Sequence, residues 1–306
     1  MPKEEKLSTF NFQLSTFSYL CRMILTVNYQ LYMTGNYIKR IEIDSLWKGV
    51  RHIIWDLQPG VNVLSGINGV GKSTILRKTI RQLTRGKDEL ERDYNKLGVH
   101  LTFSPEEADS VRFDVIRGVD RPLVSADILA RVTEARLTTE LDWQLYQLQR
   151  RFLDYQVNQS NRIVALFTAA DPEAQAKAAE IAAEKGHFQD VVDELFKATG
   201  KRIDRTSNEI FFLHLGERIT PYLLSSGEKQ MLIILLTVLV EDRQPYVLLM
   251  DEPEISLHIE WQQRLLELIT DLNPNAQVIL TTHSPAVIMS GWGDCVTDVE
   301  DIIVNS

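Results

Sequence analysis

The run Gly66-Ile67-Asn68-Gly69-Val70-Gly71-Lys72-Ser73 limits what this chain can fold into more than any other feature. It follows an apolar stretch at 61–64 and precedes Leu76, Ile80 and Leu83, which recur at helical spacing. Strand, glycine-rich turn and helix in that order make a G-x-x-x-x-G-K-[ST] phosphate cradle. Its glycines let the backbone close in until the N–H groups point at phosphate oxygens. The helix N-terminus adds partial positive charge. Gly66, Asn68, Gly69, Val70, Gly71 and Thr74 are therefore candidate binding residues. Lys72 is placed to reach the terminal phosphates, and the Ser73 hydroxyl to complete a Mg²⁺ shell.

Three further segments carry chemistry. Tyr246-Val247-Leu248-Leu249-Met250 is a buried-strand pattern ending in Asp251 and Glu252. A strand buried on both faces tolerates acids only where it emerges at its C-terminal edge, where open α/β sheets place their ligands. Asp251 is then a metal ligand and Glu252 the group that orients or deprotonates an attacking water. Leu224-Ser225-Ser226-Gly227-Glu228 leads into an apolar helix. Ser225 or Ser226 can be a simple N-cap, but a serine hydroxyl at a helix start is also a second phosphate site. One chain with two such sites points to two chains sandwiching each nucleotide. Finally, the strand pattern at 279–281 delivers His283 to the edge that holds Asp251, as a γ-phosphate sensor.

The rest of the chain falls into place around these motifs. Strand patterns occupy 37–43, 52–57, 61–64, 99–103 and 111–116. From 125 to 199 the signal turns helical: Leu137, Leu141, Leu145, Leu148, Phe152 and Tyr155 step by three and four, with 163–167 ambiguous. Two more helical stretches follow at 171–185 and 187–198, and a strand pattern at 209–215. The alternation of helix at 226–240, strand at 246–250, helix at 257–272 and strand at 277–281 marks a parallel sheet covered by helices. The expected fold is α/β: a nucleotide-binding core at 33–124 and 200–306, with a helical lobe packing on itself inserted at 125–199. Residues 1–32 read as an extension, disordered or lying upstream of the translated start at Met33.

The chain has 306 residues, 44% of them hydrophobic and 25% charged, which excludes a disordered, collagen-like or integral membrane protein. Its longest apolar run, 231–240, is too short to cross a bilayer. Cys21 and Cys295 stand far apart, which excludes a disulfide framework and makes the cytoplasm the expected compartment. A net charge of -9 argues against a basic coat for nucleic acid. Arg77, Arg81 and Arg85 at four-residue steps read as a solvated helix face, or alternatively as a contact for DNA phosphates.

The order of these four motifs resembles the ATP-binding-cassette ATPases. It is most similar to their non-transport members, the SMC-like, RecF-like and OLD-family ATPases of the AAA-15 and AAA-21 groups. The resemblance implies ATP and Mg²⁺ as cofactors, Lys72, Glu252 and His283 as catalytic residues, and Ser73 and Asp251 as metal ligands. It further implies a head-to-tail homodimer, or multiples of it, in which Ser225 and Gly227 of one chain cap the ATP held by Lys72 of the other. Glu254-Ile255-Ser256-Leu257-His258 would be the D-loop touching the partner. The helical insertion looks like that of the ATPase subunit in a PARIS-type antiphage cassette, which implies a separate nuclease or toxin effector. A RecF-like DNA-maintenance ATPase is the alternative. A transporter motor would carry Ser-Ala-Leu-Asp in its D-loop, and no membrane partner is expected. Two departures stand out. No glutamine lies between Gly98 and Asp120, where the family places a Mg²⁺-coordinating one; this leaves open a scaffold that uses ATP as glue without turnover. The chain also stops 23 residues after His283, so no TOPRIM-type nuclease is expected within it.

Overall fold

The computed structural model describes residues 33–47, 51–88, 98–117, 137–169 and 172–304. The expected extension at 1–32, the start of the inserted lobe and the end of the glutamine-free stretch lie outside them. In chain order the strands and helices before the insertion are β1 (Thr34–Gly35), β2 (Tyr37–Ile43), β3 (His52–Asp56), β4 (Val61–Ser65), α1 (Lys72–Asp88), β5 (Val99–Ser104), β6 (Ser110–Val111) and β7 (Phe113–Arg117). The inserted helices are α2 (Glu140–Thr168) and α3 (Ala174–Phe196). After them come β8 (Lys201–Ile203), β9 (Phe212–His214), β10 (Glu217–Ile219), α4 (Ser226–Val240), β11 (Tyr246–Asp251), α5 (Ile259–Leu272), β12 (Ala276–Thr281), α6 (Pro285–Met289), β13 (Val296–Asp298) and β14 (Ile303–Val304).

The chain is α/β. Its central sheet runs β13-β4-β12-β11-β7, parallel throughout. Every side chain from Tyr246 to Met250 is fully buried, as the continuous apolar run requires of a strand covered on both faces. One face, with Val63, Leu248, Met250 and Leu280, packs on α4, α5 and the inserted helices. The other, with Leu64, Val247, Leu249 and Ile279, packs on α1 and on a second, antiparallel sheet ordered β14-β3-β2-β5. Gln277 of β12 ties the two sheets: Ile38 N donates to its Oε1 at 2.8 Å, and its Nε2 donates to the carbonyls of Ile38 and Gln58, both at 2.8 Å. The ladder between β2 and β5 shifts register between Ile38, which lies opposite Phe103, and Arg40, which lies opposite Thr102.

The insertion does not close on itself alone. Leu141, Leu145 and Phe152 of α2 and Phe188, Val192 and Phe196 of α3 join the same buried cluster as α4 and the central sheet. The stretch 163–167 completes α2. The two helical stretches expected at 171–185 and 187–198 are one helix that runs through Gly186. A mid-helix glycine costs about 1 kcal/mol against alanine, and buried Phe188, Val192 and Phe196 on one side with Ala174 and Ala178 on the other outweigh it. The strand expected at 209–215 shortens to β9, because Leu215 and Gly216 both turn left-handed, at φ 51° and 84°. They make a two-residue hairpin into β10, with His214 opposite Glu217. Among the described residues no helix is long and apolar enough to cross a membrane.

Candidate active site

Parallel register brings the chemistry to one edge. Asp251 lies opposite Thr281 on β12 and Arg117 on β7, and Thr281 lies opposite Leu64 on β4. The turn leaving β4, the acids leaving β11 and the histidine leaving β12 therefore emerge side by side. In the turn, Gly66, Gly69 and Gly71 take φ values of 142°, 82° and 116°, which side-chain-bearing residues rarely adopt. Gly71 is also required by space: a Cβ there would sit 2.7 Å from Leu46 Cδ2 and 3.3 Å from Trp47 Cζ2. Asn68 is exposed on the loop, and Val70 is buried beneath it. Ser73 and Thr74 stand half-buried in the first turn of α1. Thr74 N donates to Gly71 O at 2.9 Å, whereas the amides of Gly69, Gly71, Lys72 and Ser73 find no acceptor among the described residues. Unpaired amides at a helix start, with a lysine among them, fit a polyphosphate.

Lys72 is buried, and its Nζ donates to the carbonyls of Gly66 at 2.8 Å and Ile67 at 3.1 Å. Burial pulls its ammonium below the usual lysine range, against the opposing field of Glu252, Asp298, Asp251 and Glu254. His283 bridges the site. Its Nδ1 lies 3.4 Å from Lys72 Nζ and its Nε2 3.3 Å from a Glu252 carboxylate oxygen. Glu252 sits at φ 49°, a strained setting for a residue with a side chain. Its amide is held by Thr281, donating to the carbonyl at 3.1 Å and to Oγ1 at 3.2 Å. The same hydroxyl donates to Asp251 Oδ1 at 2.7 Å, so one threonine sets both acids. Buried Glu254 accepts from the amides of His283 at 3.0 Å and Ser284 at 3.3 Å, and from the Thr282 hydroxyl, and so fixes the loop that presents His283. The oxygen and hydroxyl set of Asp251 and Ser73 suits Mg²⁺, a hard cation. Thr281 and Glu254 have no role that spacing reveals; Thr281 is legible only once β12 is paired with β11.

Ser225 and Gly227 belong to a second group. Exposed Ser225 caps α4: Glu228 N donates to its Oγ at 3.3 Å, and Ser225 N donates back to the Glu228 carboxylate at 2.9 Å. Glu228 also accepts from Thr199 Oγ1 at 2.7 Å and pairs with Lys201 at 2.8 Å. Burial pushes its carboxyl up, but the bonds from Lys201, Ser225 and Thr199 prevail and hold it below the usual range. The next residue, Lys229, makes a buried 2.7 Å pair with Asp142, which caps the start of α2 through Thr138 and Thr139. The start of α2 and the last residue of the insertion thus grip the first turn of α4. Gly227 lies against the D-loop: a Cβ would meet the Ser256 carbonyl oxygen at 2.4 Å. No hydrogen bond or ion pair among the described residues joins Ser225 or Gly227 to Lys72, Asp251, Glu252 or His283.

Comparison with known proteins places the chain in an AAA family. Residues 61–290 match the family model AAA_21, described as "AAA domain, putative AbiEii toxin, Type IV TA system". The chain is 25% identical over 295 residues to the Septu protein PtuA of Bacillus thuringiensis, covering 83% of this chain and 73% of that protein. It is 33% identical over 99 residues to the retron Vc95 probable ATPase of Vibrio cholerae serotype O1 biovar El Tor, covering 28% and 19% of the two chains. The Smc head domain of Pyrococcus furiosus, solved with an extended coiled coil bound to the C-terminal domain of ScpA, is 13% identical with a TM-score of 0.43. That match covers 83% of this chain and 91% of the solved one.

Proposed function

The chain belongs to the AAA_21 family, and on that premise we propose that it is an ATP-hydrolysing dimer switch whose two copies close head to tail over shared nucleotides. The observation that carries this reading is the division of the site within one chain. His283 touches both Lys72 and Glu252, while exposed Ser225 and D-loop-packed Gly227 form a separate group. Exposed apolar side chains flank both: Ile67 in the turn, Leu223 beside Ser225, and Ile255 and Ile259 in and after the D-loop. Apolar groups left in water beside polar chemistry mark interaction surfaces. In the core taken as 33–124 and 200–306, with the lobe at 125–199, the partner's Ser225 and Gly227 cap the triphosphate.

Lys72 exchanges its carbonyl partners for phosphate oxygens on binding, with the unpaired amides of Gly69, Gly71 and Ser73 beside it. Mg²⁺, which Ser73 and Asp251 would hold, would supply charge neutralisation to the triphosphate. Glu252 orients the attacking water and takes its proton, and His283, within reach of both Glu252 and Lys72, senses the γ-phosphate. Hydrolysis then releases the two copies. The output belongs to a separate nuclease or toxin in a cytoplasmic antiphage system. Support for this comes from the likeness to a Septu protein and a retron ATPase. A DNA-bound clamp is the second reading, favoured by Arg77 and Arg81 exposed on α1; a steep fall of DNA affinity with salt would mark it.

Mass measurement by light scattering with and without ATP is the test. Glu252→Gln accumulates as an ATP-bound dimer or a multiple of it, and Lys72→Ala loses nucleotide binding. If Glu252→Gln with ATP keeps the mass of the nucleotide-free wild type, the switch is refuted.

A further inference from the structure

The antiparallel sheet carries a second cluster of chemistry, on a different sheet from the strand that leads into the phosphate turn. Ile41, Ile43, Ile53 and Val99 are buried against the core, so the period-two alternation turns Glu42, Asp44, His52 and His100 to the outer face. Register gathers them. Glu42 lies opposite His100 on β5, Ile43 opposite Ile53 on β3, and Asp44 continues the β5 pairing through its amide, which donates to Gly98 O at 2.9 Å. Gly98 keeps this corner open, since a Cβ there would lie 3.0 Å from Asp44 Oδ2. One ligand atom each from Glu42, Asp44 and His52 lie within 4.8 Å of one another. His52 Nε2 is 3.1 Å from Glu42 Oε1, and His100 Nε2 is 3.3 Å from the Asp44 carboxylate.

We propose that Glu42, Asp44 and His52, completed by His100, form a binding site for a divalent transition-metal cation of the zinc class. Bonds of about 2.0–2.1 Å in a tetrahedron put neighbouring donor atoms about 3.3 Å apart. The His52–Glu42 and His100–Asp44 pairs already stand at 3.1 and 3.3 Å, Asp44 lies within 4.8 Å of Glu42 and His52, and His100, outside that trio, swings in to complete the set. Two carboxylates and two imidazole nitrogens on one rigid platform match that cation, and imidazole discriminates against Mg²⁺. The site is therefore distinct in chemistry from Ser73 and Asp251, and it stands whether or not the chain dimerises. It also has a route to the phosphate turn. Asp44 is followed by Ser45, whose carbonyl accepts from Lys78 Nζ of α1 at 3.2 Å, and by Leu46 and Trp47, which abut Gly71. A cation across β2, β3 and β5 stiffens the segment on which that glycine rests.

The test titrates zinc chloride into the metal-stripped full-length chain without nucleotide, followed by calorimetry and thermal unfolding. The expected result is one zinc per chain with a raised Tm. Affinity should fall about tenfold or more in His52→Ala and in Glu42→Gln, and stay at the wild-type value in His283→Ala, which removes the imidazole of the ATP site. His100→Ala, at the more exposed edge where folding is not at stake, weakens binding as well. Absence of saturable zinc binding, or wild-type affinity in the His52, Glu42 and His100 variants, overturns the proposal and leaves two ordinary cross-strand ion pairs.

Discussion

Replacing Gly227 with alanine tests the link between the helix cap and the D-loop. The added Cβ would stand 2.4 Å from the Ser256 carbonyl oxygen, and ordinary contact begins near 3.4 Å. Backbone must therefore move by about 1 Å, because a carbonyl has no rotamer with which to step aside. Small-to-large changes in packed sites cost about 1–3 kcal/mol, while alanine gains up to about 1 kcal/mol over glycine in helix propensity. The net loss of stability is then at most about 2 kcal/mol, and Tm falls by several degrees at most. The geometry of the capping face does change: restoring it on pairing costs the same 1–3 kcal/mol, a loss of about 5- to 140-fold in association per site. ATP binding to the isolated chain is untouched, since Lys72 and its turn belong to the other group. Equilibrium sedimentation in ATP with a Glu252→Gln background measures the association, and a fluorescent nucleotide measures binding. If Gly227→Ala pairs as tightly as its parent, the contact with Ser256 does not set the capping face and the reasoning fails.

Other outcomes follow from the same contacts. Asp142→Ala should lower the unfolding midpoint more than Lys229→Ala, because it strands a buried ammonium and also removes the side-chain half of the α2 capping box. Lys229→Ala leaves Asp142 its bonds from Thr138 and Thr139; equal midpoints would contradict this. Thr281→Val, isosteric at a buried position, removes the hydroxyl shared by Asp251 and Glu252. Mg²⁺-dependent nucleotide affinity should drop by about 10- to 140-fold, since one such bond to a charged group is worth about 1.5–3 kcal/mol. Binding measured in EDTA should not change. Glu228 titrates below its ordinary value in the folded chain. Its stabilisation is complete above the ordinary glutamate range of about 4 and is lost as pH falls through the lower folded value. Glu228→Gln should therefore flatten the acid limb of a stability-against-pH curve, and an unchanged limb would show that other carboxylates control it.

What the linear chain reveals depends on how local the cause is. Ile41 and Ile43 of β2 alternate because one face meets a core, so that half of the strand is legible residue by residue, whereas the register shift that keeps Ile38 buried three positions earlier is not. The phosphate turn is legible too, where conformation and motif coincide. The continuity of α3 through Gly186 is not, since the apolar contacts that outweigh the glycine come from α2 and α4. The hairpin at Leu215 is hidden because leucine is an unusual choice for a left-handed turn. Within the site, motif residues stand out by spacing. Thr281, Glu254 and Asp142 act through partners 30, 29 and 87 positions away, and only strand register and helix packing bring those pairs together.

The order of strands also sets when the machinery can exist during synthesis. β4, which carries the lysine turn, lies between β12 and β13, both made some two hundred residues later. Lys72 and His283 are 211 positions apart. A nascent chain therefore exposes a phosphate loop with neither neighbour long before the jaws that use it are translated, and pairing so distant closes late. Nucleotide gripped by the complete set of side chains consequently reports that translation has passed β12, so a ribosome-stalled fragment cannot mimic the loaded enzyme.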